Sequence, residues 1–139
     1  MRINIIDPAK LTDQHLIAEY HELLMVTKSL ERNLHTNSAI PEKFCLGRGH
    51  VNFFKNKIGY LKKRHKELIG EMHQRGFNTN HKIHTENFPK QYDNDWSPVL
   101  SDYKVIQARI IERILQKPEW YRYYGKHLTK ESLIELTVS

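Results

Sequence analysis

Two short stretches carry residue types able to do chemistry. His15, Glu19 and Glu22 stand at i, i+4 and i+7, a spacing that puts all three on one stripe of a helix. One imidazole and two carboxylates so placed can be a solvated face, an acid/base site or a set of metal ligands, and no second cluster with ligand spacing accompanies them. The other stretch is Trp120-Tyr121-Arg122-Tyr123-Tyr124-Gly125-Lys126, where four aromatics occupy five positions and cationic side chains are interleaved. Aromatic rings stack on unstacked bases while Arg and Lys take phosphates, which suits an opened or distorted nucleic acid. The same rings could equally cap a hydrophobic core.

Three segments with helical periodicity must position these groups. Thr12 or Asp13 is a plausible N-cap after Pro8, and Leu16, Tyr20, Leu23, Leu30 and Leu34 recur at helical spacing, so a first helix is expected from there to about Leu34. The Gly47-Arg48-Gly49 turn opens a second, in which Val51, Phe54, Ile58, Leu61, Leu68 and Met72 repeat every three or four residues up to a stop at Gly76. Lys55 to Arg75 holds seven Lys or Arg against two Glu, so Lys62, Lys63, Arg64 and Lys66 form a basic shoulder that is either a solvated face or a polyanion-binding one. Residues 77 to 96 are polar and aperiodic and predict a long loop. Ser97 and Pro98 then start a third helix with Val99, Tyr103, Ile106, Ile110 and Ile114 as its buried stripe and Arg109, Arg113 and Gln116 on a polar face. No segment alternates at period two. The expected fold is therefore all-α, one compact domain of three main helices over residues 1–139, with 127–139 as an extension of no assigned role.

The charge balance fits a nucleic-acid partner. Lys and Arg number 22 against 16 Asp and Glu, a formal net charge of +6, in a chain of 139 residues; that size gives one domain with a real core, and the sign favours polyanions. A single cysteine, Cys45, rules out an internal disulfide and a cysteine-based zinc site. No apolar run approaches a membrane span and the start lacks a signal-peptide core, so a cytoplasmic protein without membrane contact is expected.

Taken together, the run Asp13 to Leu23, the run Leu46 to Phe54, and Gln107-Ala108-Arg109 followed by Trp120 to Lys126 resemble the phage-type endonuclease V family, pyrimidine-dimer DNA glycosylases with abasic-site lyase activity. The runs occur in the family's order and at similar spacing, up to about Lys126. The resemblance implies a three-helix domain with the N-terminal segment threaded between the helices, no metal or cofactor, and double-stranded DNA containing a lesion as the partner of a monomer. It implies the Met1 α-amine as nucleophile and Glu22 as the essential acid. Free α-amines ordinarily titrate at about 7.7 to 8.0, so such a group can be neutral and nucleophilic where a lysine is not. By the same resemblance Arg2, His15, His21, His50, Arg64, His65, Arg109 and Arg113 are expected near the DNA, with Trp120, Tyr121, Arg122, Tyr123, Tyr124 and Lys126 as a strand-contacting arm.

The chain departs from the family in two places. Arg2 follows Met1 where better-known members carry a small residue and lose the methionine, so Met1 is expected to be retained and to supply the amine. His21 and Met25 stand where family arginines grip the damaged strand, which puts substrate identity in question. A cyclobutane pyrimidine dimer is the first expectation and another modified base the next. A non-catalytic DNA binder on the same fold and a metal-dependent phosphodiesterase using His15, Glu19 and Glu22 are the rivals.

Overall fold

A computed structural model describes residues 1–139. The elements are a 3-10 turn at Pro8–Lys10, α1 (Asp13–Arg32), the single-turn α2 (His50–Phe53), α3 (Ile58–Gln74), a second 3-10 turn at Lys90–Tyr92, α4 (Leu100–Gln116), a two-stranded hairpin of β1 (Arg122–Tyr123) and β2 (Lys126–His127), and α5 (Lys130–Val138). The fold is all-α apart from that hairpin. No helix is long and apolar enough to cross a membrane.

α1 begins where the sequence places it. The Thr12 hydroxyl accepts from the His15 amide at 3.1 Å, satisfying one of the donors that a helix start leaves orphaned. Its buried stripe of Leu16, Tyr20, Leu23, Val26 and Leu30 faces α3 and shares one core with Leu61 and Leu68 of α3 and Ile106, Ile110 and Ile114 of α4.

The single helix expected from Gly49 to Gly76 is two. Between Phe53 and Ile58 the backbone leaves helical geometry at Lys57 (φ −131°, ψ 40°), whose ammonium donates to the Phe53 carbonyl at 2.9 Å and lies 3.8 Å from the Phe53 ring centroid. The loop before α4 locks the break, since the Tyr60 amide donates to the Asn94 carbonyl at 3.0 Å. Gly59 permits that approach: a Cβ there would stand 3.0 Å from the Asn94 carbonyl carbon and oxygen. The start of α4 is also shifted, with Val99 as N-cap and the Asp102 carboxylate accepting from the Val99 amide at 2.9 Å.

The tail, an extension with no role assigned from the sequence, carries a helix. Thr129 caps α5 by accepting from the Ser132 amide. Leu133 is fully buried in the common core, and Gln107 of α4 donates to the Thr137 carbonyl at 3.4 Å.

The N-terminal segment threads between the helices and is pinned at three depths. His50 Nε2 accepts from the Ile3 amide at 2.9 Å, Arg64 Nη1 donates to the Ile6 carbonyl at 2.6 Å, and Arg75 Nη2 donates to the Pro8 carbonyl at 3.2 Å. Ile3, Asn4, Ile5 and Ile6 are all buried. Ile5 carries φ 48° inside a tight turn in which the Ile6 amide donates to the Asn4 carbonyl at 2.5 Å. Positive φ at a β-branched residue is an outlier costing roughly 1–3 kcal/mol, and only burial and the flanking anchors hold it.

Candidate active site

The pinned segment delivers the chain's first residues to a cleft of about 800 Å³ bounded by α1, the Leu46–His50 turn, α4 and the residues after α4. At its wall the Met1 amine lies 3.6 Å from Glu22 Oε1, both groups partly exposed. Met1, Arg2, His15, Glu22, His50, Arg109, Arg113, Trp120 and Tyr121, all expected from the sequence, line this one cavity. His21, Arg64, His65, Arg122, Tyr123, Tyr124 and Lys126 do not.

The amine owes its place to His50. That ring is 1 % exposed, and its Nδ1 lies 2.7 Å from the Cys45 carbonyl while Nε2 accepts from Ile3. One neutral tautomer satisfies both contacts, Nδ1 donating and Nε2 accepting, and burial, against the Cys45 bond, lowers its pKa. His50 is thus a peg for the N-terminal segment with no polar ring atom to spare for DNA.

His15 is likewise neutral. Burial, helped by the charges of Arg2 and Arg113, pushes its pKa down to about 4. Its Nδ1 lies 2.8 Å from the Thr12 hydroxyl, which also accepts from the His15 amide at 3.1 Å; in the tautomer where the hydroxyl donates to Nδ1, the proton sits on Nε2. The other face of the cavity is cationic. Arg2 donates to Asn4 Oδ1 at 2.8 Å, Arg113 only to the Gln116 side chain at 3.5 Å, and Arg109 to the exposed Glu112 at 3.2 Å. Burial and the Arg109 and Arg113 charges lower the Arg2 pKa, with Glu22 acting in the opposite sense. An amine beside a carboxylate and three guanidinium groups on one open cleft suits a phosphate-bearing substrate with an electrophilic carbon.

Residues 1–85 match the sequence profile of the family described as pyrimidine dimer DNA glycosylase. The chain belongs to that family. As a DNA glycosylase of this kind it acts on damaged DNA, and the Met1 amine, Glu22 and three arginines converge on the cleft.

Several expected DNA contacts of this glycosylase are corrected by burial. Arg64 is 2 % exposed and gives Nε and Nη2 to both oxygens of the fully buried Glu19, at 2.6 and 2.9 Å. It holds the fold and cannot reach a phosphate. The same pair removes Glu19 from the His15–Glu22 stripe, so those three side chains do not act as one group. His65 is buried and stacked on Tyr20, ring centroids 5.8 Å apart, rather than facing DNA. The rest of the basic shoulder is partly neutralised by the long loop, Lys62 pairing with Asp93 and Lys63 with Asp95.

The aromatic arm is divided between two duties. Arg75 lies 4.7 Å from the ring centroids of both Tyr123 and Tyr124, Tyr123 Oη donates to the Ala9 carbonyl, and Tyr124 Oη donates to Glu71. Asp13 accepts from the Tyr124 and Gly125 amides at 3.0 and 2.7 Å. These two tyrosines fasten the hairpin to α1 and α3, the capping duty that the sequence left open beside base stacking, and Tyr124 remains 40 % exposed. Tyr121 is buried and stacks on His15 at 4.8 Å. Trp120, 56 % exposed, is the ring left at the cleft mouth. Sequence reasoning passed over Gln14, Leu46, Val105, Ala108 and Glu112, which also line the cavity. A polar or small residue at such positions looks like ordinary helix surface until the facing helix is known.

Proposed function

We propose that the protein is an N-glycosylase and abasic-site lyase whose nucleophile is the Met1 α-amine. The carrying observation is that amine's position, 3.6 Å from Glu22 on the wall of an arginine-lined cleft. In its neutral form the amine attacks C1′ of the damaged nucleotide. The C1′–N bond to the base breaks, and the base leaves with the electron pair and takes up a proton. Sugar-ring opening gives an imine between the α-nitrogen and C1′. Loss of a C2′ proton then expels the 3′ phosphate, nicking the strand, and water hydrolyses the imine to free the enzyme. Glu22 carries the charge that develops on the sugar and shuttles these protons. Arg2, Arg109 and Arg113 hold phosphates on either side. A dimer lesion stacks poorly, so extruding a nucleotide costs less there than in intact duplex. A cyclobutane pyrimidine dimer is the first-choice substrate.

Borohydride reduction during turnover on dimer-containing and abasic duplexes tests this reading. A covalent protein–DNA adduct mapping to Met1 is expected, with glycosidic-bond cleavage lowered about 100-fold or more by Glu22→Gln. Inserting one residue ahead of Arg2 displaces the amine and should abolish trapping, because ~1 Å of misplacement already costs about 100-fold. An adduct on a lysine, or none on either duplex, would overturn the proposal.

A further inference from the structure

Trp120 stands at the cleft mouth on a stretch of chain between the end of α4 and β1, where helical geometry does not hold it. Its amide closes a turn on the Lys117 carbonyl at 3.0 Å, and Gln14, on the first turn of α1, ties its carbonyl side. Gln14 Nε2 donates to the Trp120 carbonyl at 2.8 Å and Gln14 Oε1 accepts from the Arg122 amide at 2.9 Å. A primary amide both donates and accepts, so one side chain grips the backbone two residues apart as a neighbouring strand would. Between those two grips lies Tyr121, whose ring stacks on His15 with planes 8° apart and meets Trp120 edge-on at 5.2 Å. His15, Tyr121 and Trp120 thus form a rigid aromatic ladder rooted in α1 and ending in an exposed indole. The outer end of such a ladder is a ready surface for a flat ring, and every nucleobase offers one once it leaves the duplex stack.

We infer that Gln14 is a positioning residue for the recognition of distorted DNA: its amide locks the Trp120–Arg122 backbone so that Trp120 presents a fixed stacking face to an unstacked base at the cleft mouth. The inference rests on the glycosylase reading of the cleft, but it concerns selection of damaged over intact duplex and not the amine chemistry. Holding the indole in advance removes the ordering cost that a mobile ring incurs on binding.

The test is a double-mutant cycle on binding, carried out in the Glu22→Gln protein so that cleavage does not intervene. Dissociation constants are measured for a cyclobutane-dimer duplex and its undamaged counterpart, and their ratio is compared for Gln14, Gln14→Glu and Gln14→Ala, each with Trp120 and with Trp120→Ala. Gln14→Glu keeps the acceptor for Arg122 but turns a carboxylate oxygen on the Trp120 carbonyl. It should reduce damage selectivity about tenfold with Trp120 present and less than about twofold in Trp120→Ala, since a base-stacking contact is worth ~1–3 kcal/mol. Gln14→Ala follows the same pattern without the added charge and serves if the glutamate variant melts early. Equal losses in both backgrounds, or no loss from Trp120→Ala itself, would overturn the inference. Wild-type protein that traps no adduct while the cycle behaves as expected would sink the amine mechanism and leave this assignment standing.

Discussion

Glu19 and Arg64 form a two-point ion pair at 2.6 and 2.9 Å with both side chains almost wholly out of solvent, and the same guanidinium reaches the Ile6 carbonyl. The pair therefore joins α1, α3 and the N-terminal segment at one point, behind the strained turn at Ile5. Breaking such a pair leaves an uncompensated buried charge and costs roughly 3–5 kcal/mol. Glu19→Ala is expected to lower the melting temperature by about 10 °C or more in a domain of this size. Replacing both partners by apolar residues, Glu19→Leu with Arg64→Met, should recover most of that loss but not all, because the Ile6 carbonyl is left without its donor at a cost of about 1–3 kcal/mol. Urea unfolding of the single and double variants decides it. A single variant within about 1 kcal/mol of wild type would mean that the pair does not hold the segment.

The histidines set a second dependence. Burial lowers the pKa of His15 (to about 4), of His50 and of His65, whereas the unfolded chain takes up these protons near the ordinary value of about 6.5. Between those values the unfolded state binds more protons than the native state, so stability is greatest above pH ~6.5, falls as the pH drops toward 4, and stops falling from this cause below the folded value. For His15 alone the difference corresponds to something on the order of 3 kcal/mol. Carboxylates titrate in the same range, so the diagnostic quantity is the difference between wild type and His15→Asn. Unfolding free energy followed from pH 7 to 4 should fall more steeply in the wild type. Parallel curves would show that His15 is not held neutral in the fold.

The helices were readable because their signals are local. Thr12 caps α1 three residues before the amide it serves, and Ile106, Ile110 and Ile114 repeat at helical spacing along α4. The break at Lys57 was hidden because Phe54, Ile58 and Leu61 keep their period across it while its causes, Gly59 and Asn94, are 35 positions apart. Burial of Arg64 and His65 was hidden for the same kind of reason. A basic residue on a helix reads as solvated unless its partner is known, and the partner of Arg64 lies 45 positions away. Composition left Tyr123 and Tyr124 open between base stacking and core capping, and the residues that dock them, Arg75 and Asp13, lie on other elements. The cleft itself was legible only through family resemblance, which aligned Met1 with Glu22; no spacing rule links a chain's first residue to the middle of its first helix.

The division between paired and unpaired cations predicts which surface meets DNA. Arg113 touches only the Gln116 amide and Arg109 only an exposed glutamate, both on the cleft, whereas Lys62 and Lys63 are matched to Asp93 and Asp95 of the long loop and do not line the cleft. Each phosphate contact adds about 0.9 to the slope of log affinity against log salt. Arg113→Ala and Arg109→Ala should each weaken duplex binding and reduce that slope by nearly one, on damaged and intact DNA alike, because a phosphate contact carries no sequence or lesion information. Lys62→Ala should leave the slope unchanged, since the cation it removes is already neutralised by Asp93. Binding measured from low to moderate salt separates the two sets. A slope change for Lys62→Ala with none for Arg113→Ala would place the DNA on the α3 shoulder instead of the cleft, and the amine would then face no substrate.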